Sequence, residues 1–140
     1  FLMFLPWNLV PPGMFLGDVG SYLLGGGTAA IALACLAAGV NPLASIAPLA
    51  IYWSDTVVTL IRRALRREPV LQAHRSHAFQ RLTTRGFSHL AVSGLVAGLT
   101  ALTAGLGLAS AAAYLPLPIA TVCVALVCVA YLALPRLLER

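Results

Sequence analysis

Asp55-Thr56-Val57-Val58-Thr59-Leu60-Ile61-Arg62-Arg63-Ala64-Leu65-Arg66-Arg67-Glu68-Pro69 is the stretch that decides the fold. It closes an apolar tract that opens at Pro42, passing from one carboxylate through aliphatic side chains to four arginines and a Glu-Pro stop. An apolar run of about 20 residues ending abruptly in arginine is how a transmembrane helix meets the water boundary. The composition agrees: of 140 residues, 60% are hydrophobic and 9% charged, against about 25% charge in a soluble domain. A water-soluble globule is excluded, and the chain reads as all-α, a polytopic transmembrane helix bundle.

Outward from that stretch, the pattern predicts spans at about 19–39, 42–65, 87–113 and 116–135, with one polar connection at 66–86. Pro48 should kink the second span, Ser88 should cap the third, and Pro116 and Pro118 should open the fourth, which ends near Pro135. There is no lysine, and seven of the nine arginines lie between Arg62 and Arg85; the other two, Arg136 and Arg140, follow the last span. Four spans put both groups on one side. The positive-inside rule makes that side cytoplasmic, and residues 6–18 then lie there too.

The chain opens on the apolar run Phe1–Leu5 without a basic segment before it, which does not read as a signal peptide, and it is taken as part of a longer protein. Cys35, Cys123 and Cys128 sit in apolar tracts and suggest neither a disulfide framework nor a zinc site. Gly94 and Gly98, continued by Ala101 and Gly105, and Gly25-Gly26-Gly27 with Ala29 and Ala30 make small-residue faces. Packing within one bundle is the favoured reading of these faces, with a homodimer contact as the alternative. Nucleic acid is not an expected partner, because topology and lipid headgroups account for the arginines.

Ionisable groups in or beside a span are costly and mark candidate sites. Asp18 lies between Gly17 and Gly20-Ser21 just where the first helix begins. Its carboxylate is placed to hold a divalent cation, or else Asp18 or Ser21 caps the helix. Asp55, Thr59 and Arg62 follow i, i+4, i+7, so Asp55 should face the interior in a hydrogen-bonding or ion-pair role. The arginine pairs read most simply as headgroup anchors. The stretch His74-Arg75-Ser76-His77-Ala78-Phe79-Gln80-Arg81-Leu82 gathers imidazole and guanidinium groups suited to a phosphate or diphosphate, with a solvated basic loop as the plain alternative. A zinc pair at His74 and His77 lacks further ligands at suitable spacing.

Trp7-Asn8, Pro11-Pro12 and Phe15-Leu16-Gly17-Asp18-Val19-Gly20-Ser21 with Leu24-Gly25-Gly26 resemble a segment of the polyprenyl-phosphate N-acetylhexosamine-1-phosphate transferases. Asp55-Thr56 leading to Arg62-Arg63, and the run Ala73–Leu82, resemble that family's span and histidine-bearing cytoplasmic loop. The resemblance implies the C-terminal part of an enzyme of the bacterial inner membrane, active on its cytoplasmic face. Such an enzyme transfers N-acetylhexosamine-1-phosphate from a UDP-sugar to polyprenyl (undecaprenyl) phosphate, releasing UMP with the help of Mg2+, as the first membrane step of a cell-envelope polysaccharide. It further implies Asp18 as the magnesium ligand and His74, Arg75, His77 and Arg81, with Asn8, as substrate-binding residues. Gly17, Gly20, Ser21 and Asp55 would shape the site, and the catalytic aspartates would lie upstream of Phe1, so that these 140 residues alone should not turn over. His74 stands where many members carry aspartate, and Phe79-Gln80 replaces two histidines, which is closer to the O-antigen and capsule branch. The competing reading is a non-catalytic polytopic subunit or transporter module whose basic loop docks on lipid.

Overall fold

The structure, a computed structural model, describes residues 4–10, 13, 14, 16–69 and 77–138. All regular structure among the described residues is helical, without strands: α1 (Leu5–Leu9), α2 (Gly17–Ala37), α3 (Pro42–Ile46), α4 (Ala50–Leu65), α5 (Ala78–Thr83), α6 (His89–Ala111) and α7 (Leu117–Leu137). Four stretches are long and apolar enough to cross a bilayer, Gly17–Ala37, Pro42–Leu65, His89–Ala111 and Leu117–Leu137. At about 1.5 Å per residue each covers the roughly 30 Å of hydrocarbon. The chain is an integral membrane protein of all-α class.

Local chemistry sets where the spans begin and end. The α2–α3 corner is a Schellman stop: Gly39 takes φ +76 while Val40 N–H donates to Cys35 O at 3.0 Å and Gly39 N–H to Leu36 O at 3.0 Å. Asn41 Oδ1 then accepts from Leu43 N at 2.9 Å and caps α3, whose first residue is Pro42. Pro48 breaks the second span as expected, through a 3-10 turn at Ala47–Leu49. Ser88 Oγ accepts from Ala91 N at 3.1 Å, the anticipated cap of α6.

Three boundaries differ from the sequence reading. The first span starts at Gly17, not residue 19, so Asp18 lies in the first helical turn. The last runs through Pro135 to Leu137: the ring is buried and the helix continues past it for two residues. The polar connection at 66–86 is not all loop, because it contains α5.

α6 and α7 pack together and against the α3–α4 arm, α2 touches α3, and α5 folds back onto α6 and α7. The core is small: Ile51, Ala78 and Tyr131 with Val96, Leu99, Val127, Cys128, Leu132 and Leu134 around them. Much aliphatic surface, such as Leu126 and Val129 on α7, points outward from the described residues, as in a chain whose surroundings are apolar. The glycine that admits a neighbouring backbone is Gly107: a Cβ there would lie 2.9 Å from Ala44 Cα and 2.9 Å from Leu43 O. A Cβ at Gly94, Gly98 or Gly105, or at Gly25, Gly26 or Gly27, would meet nothing within 4 Å among the described residues.

Candidate functional site

The site grows from Asp55. Ile51, Asp55, Thr59 and Arg63 form the buried stripe of α4, each four residues after the last. Asp55 therefore faces the interior, as its spacing suggested, and shares that side with Arg63, not with Arg62. Its carboxylate accepts from Ala78 N–H at 3.0 and 3.2 Å, from Tyr131 Oη at 3.1 Å and from Thr59 Oγ1 at 3.3 Å. Ala78 is the first residue of α5, so a carboxylate from another helix takes the place of an N-cap and meets the positive end of a helix dipole. Gln80 adds the local half of the cap, its Oε1 accepting from His77 N–H at 3.3 Å. The polar connection is thereby drawn down among the spans to the level of Asp55.

This latch sets His77. Its Nδ1 stands 3.6 Å from Asp55 Oδ1, an electrostatic contact longer than a hydrogen bond, and its ring stacks on Phe79 with centroids 5.7 Å apart and planes 16° from parallel. His77 and Asp55 line a cleft of about 800 Å3 together with Asp18, Ser21, Tyr52 and Thr56, with Gln80 and Tyr131 also on its wall. Asp18 and His77, 59 positions apart in the chain, thus border one space on one side of the membrane bundle.

Asp18 reaches that space through a glycine approach. Gly17 takes φ +69, open to glycine and strained for other residues, and a Cβ on Gly20 would lie 2.5 Å from Leu16 Cγ. Ser21 Oγ donates to Gly17 O at 2.8 Å and ties down the first turn. Asp18 is exposed, and its carboxylate accepts no hydrogen bond from the described residues, whereas Asp55 is held by three elements. Among the described residues no three His, Cys, Asp or Glu side chains gather as a ligand set. A cation at Asp18 would take its other ligands from substrate oxygens and water, which suits magnesium, commonly held by one or two carboxylates plus phosphates.

Arg81, four residues after His77, borders a different cavity of about 430 Å3, beside Arg62, Arg63, Arg66, Arg136 and Glu68. Arg63 is only 6% exposed; its guanidinium bonds Pro69 O and stands 3.7 Å from Glu68. For Arg63 the headgroup-anchor reading fails, because helix packing requires it inside. Asn8 Nδ2 donates to Met14 O at 2.9 Å and closes a turn over Gly13, outside both cavities. His74 and Arg75 lie outside the described residues, as do Pro11, Pro12 and Phe15. Tyr131 escaped the sequence reading; its one signal was a hydroxyl in the middle of an otherwise apolar span.

Fold and cleft together define a polytopic helical membrane protein with a cleft bordered by carboxylates and an imidazole. The chain is similar to a probable undecaprenyl-phosphate N-acetylglucosaminyl 1-phosphate transferase of Bacillus subtilis (strain 168), 34% identical over 91 residues. That similarity covers 63% of this chain and 25% of the relative, so the chain spans about a quarter of that protein's length. The match is modest, and it agrees with the resemblance read from the sequence: the chain fits a fragment of that transferase family. No family model matches, and no solved structure matches.

Proposed function

We propose that the whole protein transfers N-acetylhexosamine-1-phosphate from a UDP-sugar to a polyprenyl phosphate at the cytoplasmic face of a bacterial inner membrane, and that the Asp18–His77 cleft holds the reacting diphosphate. The observation that carries this reading is that Asp18 and His77, far apart in sequence, line one cleft.

In the reaction a phosphate oxygen of the lipid attacks the β-phosphorus of the nucleotide sugar. The bond from that phosphorus to the bridging oxygen breaks, and UMP leaves with the bridging oxygen. Protein work in such a transfer is mostly positioning and charge compensation. Asp18 is the chain's carboxylate for magnesium, which when bound offsets charge on the phosphate oxygens. His77, fixed by Phe79 and by the Asp55 latch, offers its imidazole to the diphosphate. Arg81, one turn further along α5, adds positive potential from the neighbouring cavity. His74 and Arg75 join them by the resemblance.

The test is UMP release from UDP-N-acetylhexosamine in membranes carrying the full-length protein, with and without polyprenyl phosphate and magnesium. Asp18→Asn should cost about a hundredfold or more in rate, and His77→Ala about tenfold. An Asp18→Asn protein with wild-type turnover would remove the reading.

A further inference from the structure

The proposed transfer draws on the second cavity only through the potential of Arg81. Its walls come from three elements: Arg62, Arg63 and Arg66 at the end of α4, Arg81 on α5, and Arg136 in the last turn of α7. Glu68 is the one carboxylate among its described lining residues, 3.7 Å from Arg63 and 3.9 Å from Arg66. Five guanidinium groups and one carboxylate among the described residues line about 430 Å3. Arg62 stands within electrostatic reach of Arg136, Arg81 and Arg66 together. Cations spread along a membrane surface would each find their own headgroup; here three helices bring them to a single concavity, which one anion could share.

We infer that this cavity is an anion site that takes a phosphate group, separate from the Asp18 cleft. Phosphate is the favoured chemistry for two reasons. Every basic side chain is arginine, whose planar fork pairs phosphate oxygens two at a time. The cavity also lies where α4 and α7 end, at the limits of two apolar stretches long enough to cross a bilayer. A lipid headgroup and a free phosphate share that chemistry. The inference does not depend on the transferase reading.

The experiment uses full-length protein in an uncharged detergent, titrated with dihexanoyl phosphatidic acid, with inorganic phosphate and with dihexanoyl phosphatidylcholine, and read by native mass spectrometry and melting temperature. Phosphatidic acid should bind, phosphatidylcholine should bind more weakly, and Arg62→Gln/Arg66→Gln/Arg136→Gln should weaken the phosphatidic acid about tenfold or more. Competition by inorganic phosphate identifies a free-anion site, and its failure to compete identifies a headgroup site; either supports the proposal. Should the triple variant not fold, Arg136→Gln alone, exposed at the helix end, should weaken binding about threefold. Asp18→Asn should bind as wild type does, so a failure of the transferase reading leaves this result standing. Wild type that binds neither phosphate compound, arginine variants that bind equally well, or loss of binding in Asp18→Asn would overturn it.

Discussion

Tyr131 Oη donates to Asp55 Oδ2 at 3.1 Å across 76 positions of sequence, and the same carboxylate receives the backbone N–H of Ala78. Two spans and the re-entering helix α5 therefore meet at one buried carboxyl group. A carboxylate is tolerable there because each donor points at it; with any donor removed, the rest hold it less well.

Asp55→Ala should destabilise the full-length protein by about 3 kcal/mol, since it leaves Ala78 N–H and the Tyr131 hydroxyl buried without an acceptor. Tyr131→Phe removes the hydroxyl's bond to Asp55 and its backbone bond with Phe79 and should cost about 1–3 kcal/mol. The double variant should cost less than the sum, because both changes break one network. Unfolding in detergent gives the energies. Hydrogen exchange at Ala78–Thr83 should rise in both variants, and unchanged protection would mean α5 is held by something else.

Gly107→Ala should destabilise by about 1–3 kcal/mol, because its Cβ meets the backbone of Leu43 and Ala44, which has little room to move without shifting α3. Gly98→Ala, with open space around it, should be neutral or slightly stabilising through helix propensity. Comparing melting temperatures of the two variants separates the glycine that packs from the glycine that merely fits the GxxxG pattern.

That contrast shows where sequence reading stopped. Apolar length, proline position and arginine placement are local properties, and they located the four spans to within a few residues, as at Asn41-Pro42 and Ser88. Burial of Asp55 followed from helical spacing. The partner of the α4 stripe did not: buried side chains follow the i+4 ridge of a crossed helix pair, which leads from Thr59 to Arg63, whereas averaging over two turns leads to Arg62. Nor does a sequence mark which backbone N–H a distant carboxylate will hold, so α5 was legible as a polar stretch with histidines but not as a helix docked on Asp55. Asp18 and His77 could each be singled out by residue type. Their common cleft needed the latch that brings α5 inward.

Ala113→Gly should stabilise by about 0.5–1 kcal/mol. Ala113 sits at φ +60 as the residue after the cap of α6, where Tyr114 N–H donates to Ala109 O at 2.9 Å and Ala113 N–H to Ser110 O at 3.1 Å, a Schellman turn that glycine completes elsewhere in this chain at Gly39. The α6–α7 corner is far in sequence from the cleft residues, so transfer activity should not change. A melting temperature that falls would mean that the alanine methyl makes a contact worth more than the strain.

Gly17→Ala tests the geometry that presents Asp18. At φ +69 an alanine costs about 1–2 kcal/mol, which the chain can relieve by rotating the first turn of α2 and carrying Asp18 away from the cleft. Nothing crowds a Cβ at Gly17, so any loss comes from backbone conformation and not from a clash. Gly20→Ala reaches the same turn by another route, driving a methyl into Leu16 Cγ at 2.5 Å. Both variants should lower magnesium-dependent UMP release about tenfold or more, because misplacing a charged group by an ångström removes much of its effect on a phosphoryl transition state. Both should also raise the magnesium concentration needed for half-maximal rate, which a loss of stability alone would not do. Full activity at unchanged magnesium demand in both would mean that Asp18 needs no such presentation and that the carboxylate on the metal lies elsewhere in the protein.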